Sequence, residues 1–253
     1  MSEATTAVNA AKATEKRILA DPAELSRAAA EEFLRLAPRN IASSGQFTVS
    51  LAGGSTPRAA YEILAQQPEK IFWDKVYIFF GDERCVPPEH QESNYGMARA
   101  ALLAHVPIPS QNVHRMRGEL DPAAAAEQYD QDLRGFFRLG RGEFPSFDLI
   151  MLGMGDDGHT ASLFPGSDAL RETSRLAVAN WVEKFHQHRL TLTFPVLNNA
   201  AEVMFLVAGA AKAKVLGEIF GENAPRDRYP VQKVKPAAGR TLWLLDRAAV
   251  QSL

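Results

Sequence analysis

Three short stretches of this sequence carry residue types that can do chemistry. The densest is Gly153-Met-Gly-Asp-Asp-Gly-His159, in which three glycines and two acids surround a single histidine. Histidine exchanges protons nearest neutral pH, so this loop is read as the seat of a general base. Asp157, two residues earlier, can orient the imidazole and offset the charge it gains. A helix starting near His159 would place its N-terminal partial charge beside the ring and favour the neutral form. The competing reading is a histidine that only caps a turn.

A second stretch, Gly81-Asp82-Glu83-Arg84-Cys85-Val86-Pro87, sets two carboxylates and a guanidinium directly after an apolar run. Arg84 suits a phosphate or carboxylate because its planar fork can hold two oxygens at once. Cys85 has no histidine partner nearby and is read as a small packed residue, not a nucleophile. A third stretch, Leu51-Ala-Gly-Gly-Ser-Thr-Pro-Arg58, has the makings of a phosphate cradle. Gly53 and Gly54 let backbone N–H groups approach an anion, Ser55 and Thr56 offer hydroxyls, and a helix start adds partial positive charge. Alternatively, Thr56 caps a helix and the glycines simply turn the chain. The Lys-Ser/Thr pair of a Walker loop is missing, so nucleotide hydrolysis is not implied.

These loops need a scaffold, and the pattern around them supplies one. Asp21-Pro22 with Glu24 opens a helix whose apolar residues run to a stop at Pro38. Strands are predicted at 47–52, 76–80, 112–116, 147–152, 176–180, 189–193, 203–207 and 242–245, and helices at 57–64, 93–104, 122–137 and 210–220. Strands alternating with helices give an α/β fold with a mainly parallel sheet covered on both faces. The turns after Ala52, Phe80 and Leu152 then fall at the carboxyl ends of strands, where such sheets bind ligands.

The 253 residues fit one domain over 16–253, with residues 1–15 expected as a flexible tail. A formal charge of −2 leaves no global field for nucleic acid, so any anion is bound locally. The lone Cys85 fits a reducing compartment. No signal peptide and no membrane-length apolar run are evident, making a cytoplasmic location the default and a membrane association unexpected. The other five histidines show no metal-binding spacing, so neither a metal nor another cofactor is expected.

Together, Ala-Gly-Gly-Ser-Thr-Pro, Gly-Asp-Glu-Arg-Cys-Val-Pro and Gly-Met-Gly-Asp-Asp-Gly-His-Thr-Ala-Ser-Leu-Phe-Pro-Gly resemble, in the same order, the blocks of the 6-phosphogluconolactonase family. Glu92-Ser-Asn-Tyr95, His188-Arg-Leu-Thr-Leu-Thr-Phe-Pro195, Val207-Ala-Gly-Ala-Ala-Lys212-Ala and the segment 239–246 extend the resemblance over roughly residues 20–250. The resemblance implies a Rossmann-like fold shared with glucosamine-6-phosphate deaminases. It implies hydrolysis of 6-phospho-D-glucono-1,5-lactone to 6-phosphogluconate in the oxidative pentose phosphate pathway, with glucose-6-phosphate dehydrogenase as the supplier of substrate. It makes His159 the base that activates water and then protonates the leaving ring oxygen. Gly54, Ser55, Thr56 and Lys212 would hold the phosphate, Arg84 and Arg189 would clamp phosphate or oxyanion, and Asp82 lies where the deaminases place a catalytic acid.

Three rivals remain to be weighed. An amino-sugar-phosphate deaminase or isomerase would share the cradle, but the resemblance places an acid in a stretch that here reads Ala161-Ser-Leu-Phe-Pro165. A non-catalytic sugar-phosphate sensor would have no need of Asp157 and His159. A nicotinamide-dependent dehydrogenase would follow G-x-G-x-x-G with an acidic ribose binder some 20 residues on, which is not evident here.

Overall fold

The computed structural model describes residues 14–221 and 227–252. The chain opens with strand β1 (Thr14–Leu19), helix α1 (Pro22–Ser44), β2 (Phe47–Leu51), α2 (Ser55–Ala65), β3 (Val76–Phe80) and the short β4 (Asp82–Arg84). It continues through α3 (Asn94–Ala98), α4 (Pro122–Phe137), β5 (Leu149–Leu152), β6 (Ala177–Val182) and β7 (Gln187–Leu192). The last elements are α5 (Phe194–Asn198), β8 (Glu202–Val207), α6 (Ala213–Phe220) and β9 (Arg240–Asp246).

Among the described residues, six strands form a wholly parallel sheet in the order β1-β9-β8-β5-β2-β3. Strands buried on both faces favour apolar side chains throughout, which explains the unbroken run in β5, whereas β2 is buried at every position but carries Thr48 and Ser50 among its apolar residues. Successive residues then serve opposite layers. Leu149 and Met151 join the cluster around Phe33, Val49 and Leu244, whereas Ile150 and Leu152 join the one around Phe79, Phe205 and Trp243. The chain steps from β2 outward to β3 and later returns to place β5 on the other side of β2. That reversal of direction opens a crevice at the strands' carboxyl ends.

The expected parallel α/β architecture is present, with four corrections. Strands β4, β7 and β6 form a separate three-stranded antiparallel sheet, so the strands predicted near 176–180 and 189–193 lie outside the main sheet. Helix α1 does not stop at Pro38 but runs to Ser44 and closes on Gly45, at φ 81°, whose N–H donates to the Ile41 carbonyl. Pro38 sits on the exposed side, so the buried face of Leu25, Ala29, Phe33, Leu36 and Ala37 carries the helix past the hydrogen bond it removes. The segment 112–116 is not a strand, since Val113 makes only an isolated bridge to Ile78. Strand β1 begins at Thr14, placing residues 14 and 15 of the expected tail in the sheet, while residues 1–13 lie outside the described part.

Candidate active site

Four neighbouring strands of the parallel sheet, β8, β5, β2 and β3, deliver their following loops to one place. The result is a pocket of about 250 Å³ whose wall includes Gly53, Gly54, Asp82, Arg84, His159 and Lys212. Segments more than 150 residues apart in the sequence thus meet because their strands are adjacent, not because of any local signal.

The loop after β5 holds His159 on three sides. Its Nδ1 lies 2.5 Å from Asp157 Oδ1, which also accepts the His159 backbone N–H at 3.2 Å. Its ring stacks on Phe164 at 4.0 Å between centroids. On the remaining side is Gly155, where an added Cβ would fall 2.1 Å from Nδ1. Gly155 N–H donates to the His159 carbonyl, and Thr160 Oγ1 donates to the Gly153 carbonyl, closing the loop on itself. Burial alone would raise the Asp157 carboxyl, but the hydrogen bonds and charge of His159, with Lys184 beyond, hold it well below the usual carboxylate range. An ionised Asp157 accepts a hydrogen bond from Nδ1–H, so the lone pair of the neutral ring is on Nε2, which has no hydrogen-bond partner among the described residues.

The helix expected to begin near His159 is not there. Residues 160 and 163 instead form an isolated bridge, and the following helical turn starts only at Asp168. The ring's tautomer is therefore set by Asp157 and not by a helix terminus.

Opposite the histidine, the loop after β2 runs into α2. The N-cap is Gly54, at φ 105°, with no side-chain cap, so Thr56 does not cap the helix and Pro57 falls in the first turn, not at its start. The first-turn N–H groups are left to whatever occupies the pocket. Gly53 admits no side chain, since a Cβ there would lie 1.9 Å from Asn94 Oδ1. Ser55 and Thr56 begin α2 beyond the pocket wall, Ser55 exposed and Thr56 half-buried. Lys212 reaches the pocket from a turn after β8 that is anchored by Gly209 N–H on the Asp246 carboxylate.

The acidic loop after β3 resolves into an alternating strand. Asp82 and Arg84 face the pocket, and Glu83 points inward. Glu83 accepts from Ser93 Oγ and from the backbone N–H groups of Asn94 and Tyr95 at 2.7–3.1 Å, so it caps α3. Asp82 accepts from Ser162 Oγ at 2.7 Å and from Asn94 Nδ2 at 3.2 Å. Arg84 donates from Nη1 to the Glu92 carbonyl and is paired across β4 and β7 with Arg189. Arg189 is not part of the pocket wall; it is 7% exposed, and its Nη1 is buried with no partner. Burial, then the facing Arg84, lowers its pKa. Burial likewise pushes the Cys85 thiol up to about 11, as suits a packed residue.

Residue reading gave Asn94 no role, although it lies at the centre of the site. It is 3% exposed, fills the space under Gly53 and hydrogen-bonds Asp82 through both that residue's carbonyl and its carboxylate. Lys184, which reaches Asp156 and Asp157 at 3.3 and 3.5 Å, likewise carries no motif that points to the site. Neither is close in sequence to what it touches, so spacing carried no signal.

A doubly wound sheet with a small, cation-lined pocket at its carboxyl edge defines a class of α/β proteins that hold compact anionic ligands. The sequence profile of the glucosamine-6-phosphate isomerases/6-phosphogluconolactonase family matches residues 20–243, and the chain belongs to that family. It is 47% identical over 214 residues to a 6-phosphogluconolactonase of Synechocystis, covering 84% of this chain and 87% of that one. A Nostoc 6-phosphogluconolactonase is 46% identical over 210 residues, covering 83% and 85%. The solved structure of 6-phosphogluconolactonase from Trypanosoma cruzi superposes with a TM-score of 0.85 at 28% identity, over 96% of this chain and 97% of that one.

Proposed function

We propose that this chain hydrolyses 6-phospho-D-glucono-1,5-lactone to 6-phosphogluconate, with His159 as the general base. The observation that carries the reading is an imidazole clamped at Nδ1 by Asp157, on the wall of the same pocket as the Gly53-Gly54 turn and Lys212. Family membership and the relatives named 6-phosphogluconolactonase support the substrate.

In this reading the phosphate sits on the free N–H groups at the start of α2 and against Lys212, with the Ser55 and Thr56 hydroxyls at its edge. The lactone carbonyl then lies toward His159. Nε2 takes a proton from water as the water oxygen bonds to the carbonyl carbon. The carbonyl π electrons move to oxygen, where Arg84 faces the new negative charge. Collapse of this intermediate breaks the bond to the ring oxygen, and the imidazolium returns its proton there. Asp157 holds the ring and offsets its transient charge. Arg84 takes the clamping role on the pocket wall, and Arg189, off the wall and cross-strand from it, adds a like charge whose repulsion an anion bound at Arg84 would relieve. Asp82, with its carboxylate already held by Ser162 and Asn94, positions the pocket wall.

Supply of substrate by glucose-6-phosphate dehydrogenase, a cytoplasmic location and no role for nucleic acid belong to the same proposal. The deaminase alternative needs a carboxylate at 161–165, where Ala161 lines the pocket and Ser162 instead serves Asp82. The lactone also opens spontaneously, so the test is 6-phosphogluconate formed in excess of a no-enzyme control. His159→Ala should abolish nearly all of that excess with the fold retained; wild-type turnover in the variant would refute the assigned base.

A further inference from the structure

A second pocket, of about 360 Å³, lies on the other side of α3 from the catalytic one, between α3, the π-helical turn 99–103 and the segment 108–117. Its polar wall is unusually cationic: Arg99, Arg115 and Arg117 contribute, against a single carboxylate, Asp132. Arg115 is engaged by Glu119 in a bidentate pair at 2.6 and 2.8 Å and lies over the Tyr95 ring at 5.4 Å. Arg99 and Arg117 make no ion pair among the described residues. The other wall is apolar, formed by the Tyr95 ring with Leu103, Ile108 and Val113. His114, stacked on Phe79 at 4.4 Å, closes the floor, and its Nε2 is buried without a partner.

We propose that this pocket is a second ligand site, built for a small phosphate monoester that carries a ring or apolar body. Two guanidiniums on one rim, neither held in a close ion pair among the described residues, supply the fork geometry that binds phosphate oxygens. The three aliphatic side chains beside the Tyr95 ring accept the body, and the volume falls in the range of small-molecule pockets. A π-helical turn within the wall is the kind of local irregularity that recurs at functional sites. The pocket also abuts the catalytic one. Tyr95 N–H is held by Glu83, and Gly118 lies so close to the Arg84 carbonyl that a Cβ would approach it within 2.2 Å. The two pockets therefore share α3, which gives Asn94 to the catalytic one and Tyr95 to the other, and this second site does not depend on which reaction the first one performs.

Isothermal titration of the intact protein with phenyl phosphate, and separately with inorganic phosphate, tests the assignment. Phenyl phosphate should show two binding events, of which Lys212→Ala removes one. Arg99→Ala combined with Arg117→Ala should weaken the other at least about tenfold, as loss of charge-assisted hydrogen bonds does, while leaving lactone hydrolysis unchanged as proof of fold. Inorganic phosphate should bind this second site more weakly than phenyl phosphate. A single event lost in Lys212→Ala, or a second event indifferent to the double arginine substitution, overturns the proposal.

Discussion

The imidazole of His159 lies where Gly155 has no side chain, and it is tethered where Asp157 has lost its proton. Each contact gives a separate expectation. Gly155→Ala puts a methyl group 2.1 Å from Nδ1, so the ring must move and the excess rate over spontaneous hydrolysis should collapse, with circular dichroism and thermal midpoint little changed. Unchanged kcat in that variant would mean the ring position is unimportant. Asp157→Asn keeps the shape but no longer demands a proton on Nδ1, and kcat should fall about 100-fold or more, the scale of a misplaced general base. A variant that lost only affinity, with kcat intact, would assign Asp157 to substrate binding instead.

The loops owe their positions to the strands and helices that bracket them. In β4 the pleat alone separates Asp82 and Arg84, turned to the pocket, from Glu83, turned to α3. The turn ahead of β6 is held in a similar way by one carboxylate. Glu172 accepts from the N–H groups of Thr173, Ser174 and Arg175, from the Ser174 hydroxyl and from the Arg175 guanidinium. Partial burial opposes ionisation there, yet these donors carry its pKa down to about 2 from the ordinary 4.5. A folded-state value below the unfolded one stabilises at pH above the unfolded value and is lost as pH falls toward the folded one. Wild type should therefore exceed Glu172→Gln in urea midpoint at pH 7, and the gap should close between pH 4.5 and about pH 2. A gap independent of pH would place the effect elsewhere.

The molecule as a whole is a parallel sheet with a core on each face, and β1 guards one of its edges. It pairs with β9 along all six residues, and Glu15 meets Arg240 at 2.6 Å. Without β1, strand β9 becomes an unpaired apolar edge. Deletion through residue 19 should lower the thermal midpoint by more than about 5 °C and produce concentration-dependent aggregation, read by light scattering. A soluble truncated protein with an unshifted midpoint would show that the edge needs no cover.

Alternating strand and helix signals, glycines at strand ends and the apolar runs of β3 and β5 made the parallel α/β plan legible, because a strand buried on both faces is favoured to be apolar along most of its length. The residue types at 53–54, 82, 84 and 159 marked loops that meet at one pocket, since glycine suits backbone approach to an anion and histidine suits proton transfer near neutrality. The adjacency of these segments came only from the strand order β8-β5-β2-β3. The place of Asn94 beneath Gly53, the withdrawal of Arg189 from the pocket wall and the absence of a helix at His159 were likewise visible only in the tertiary structure. Sequence patterns record what one segment needs from its own neighbours along the chain. Contacts across the sheet are fixed by topology and packing, which no local spacing encodes.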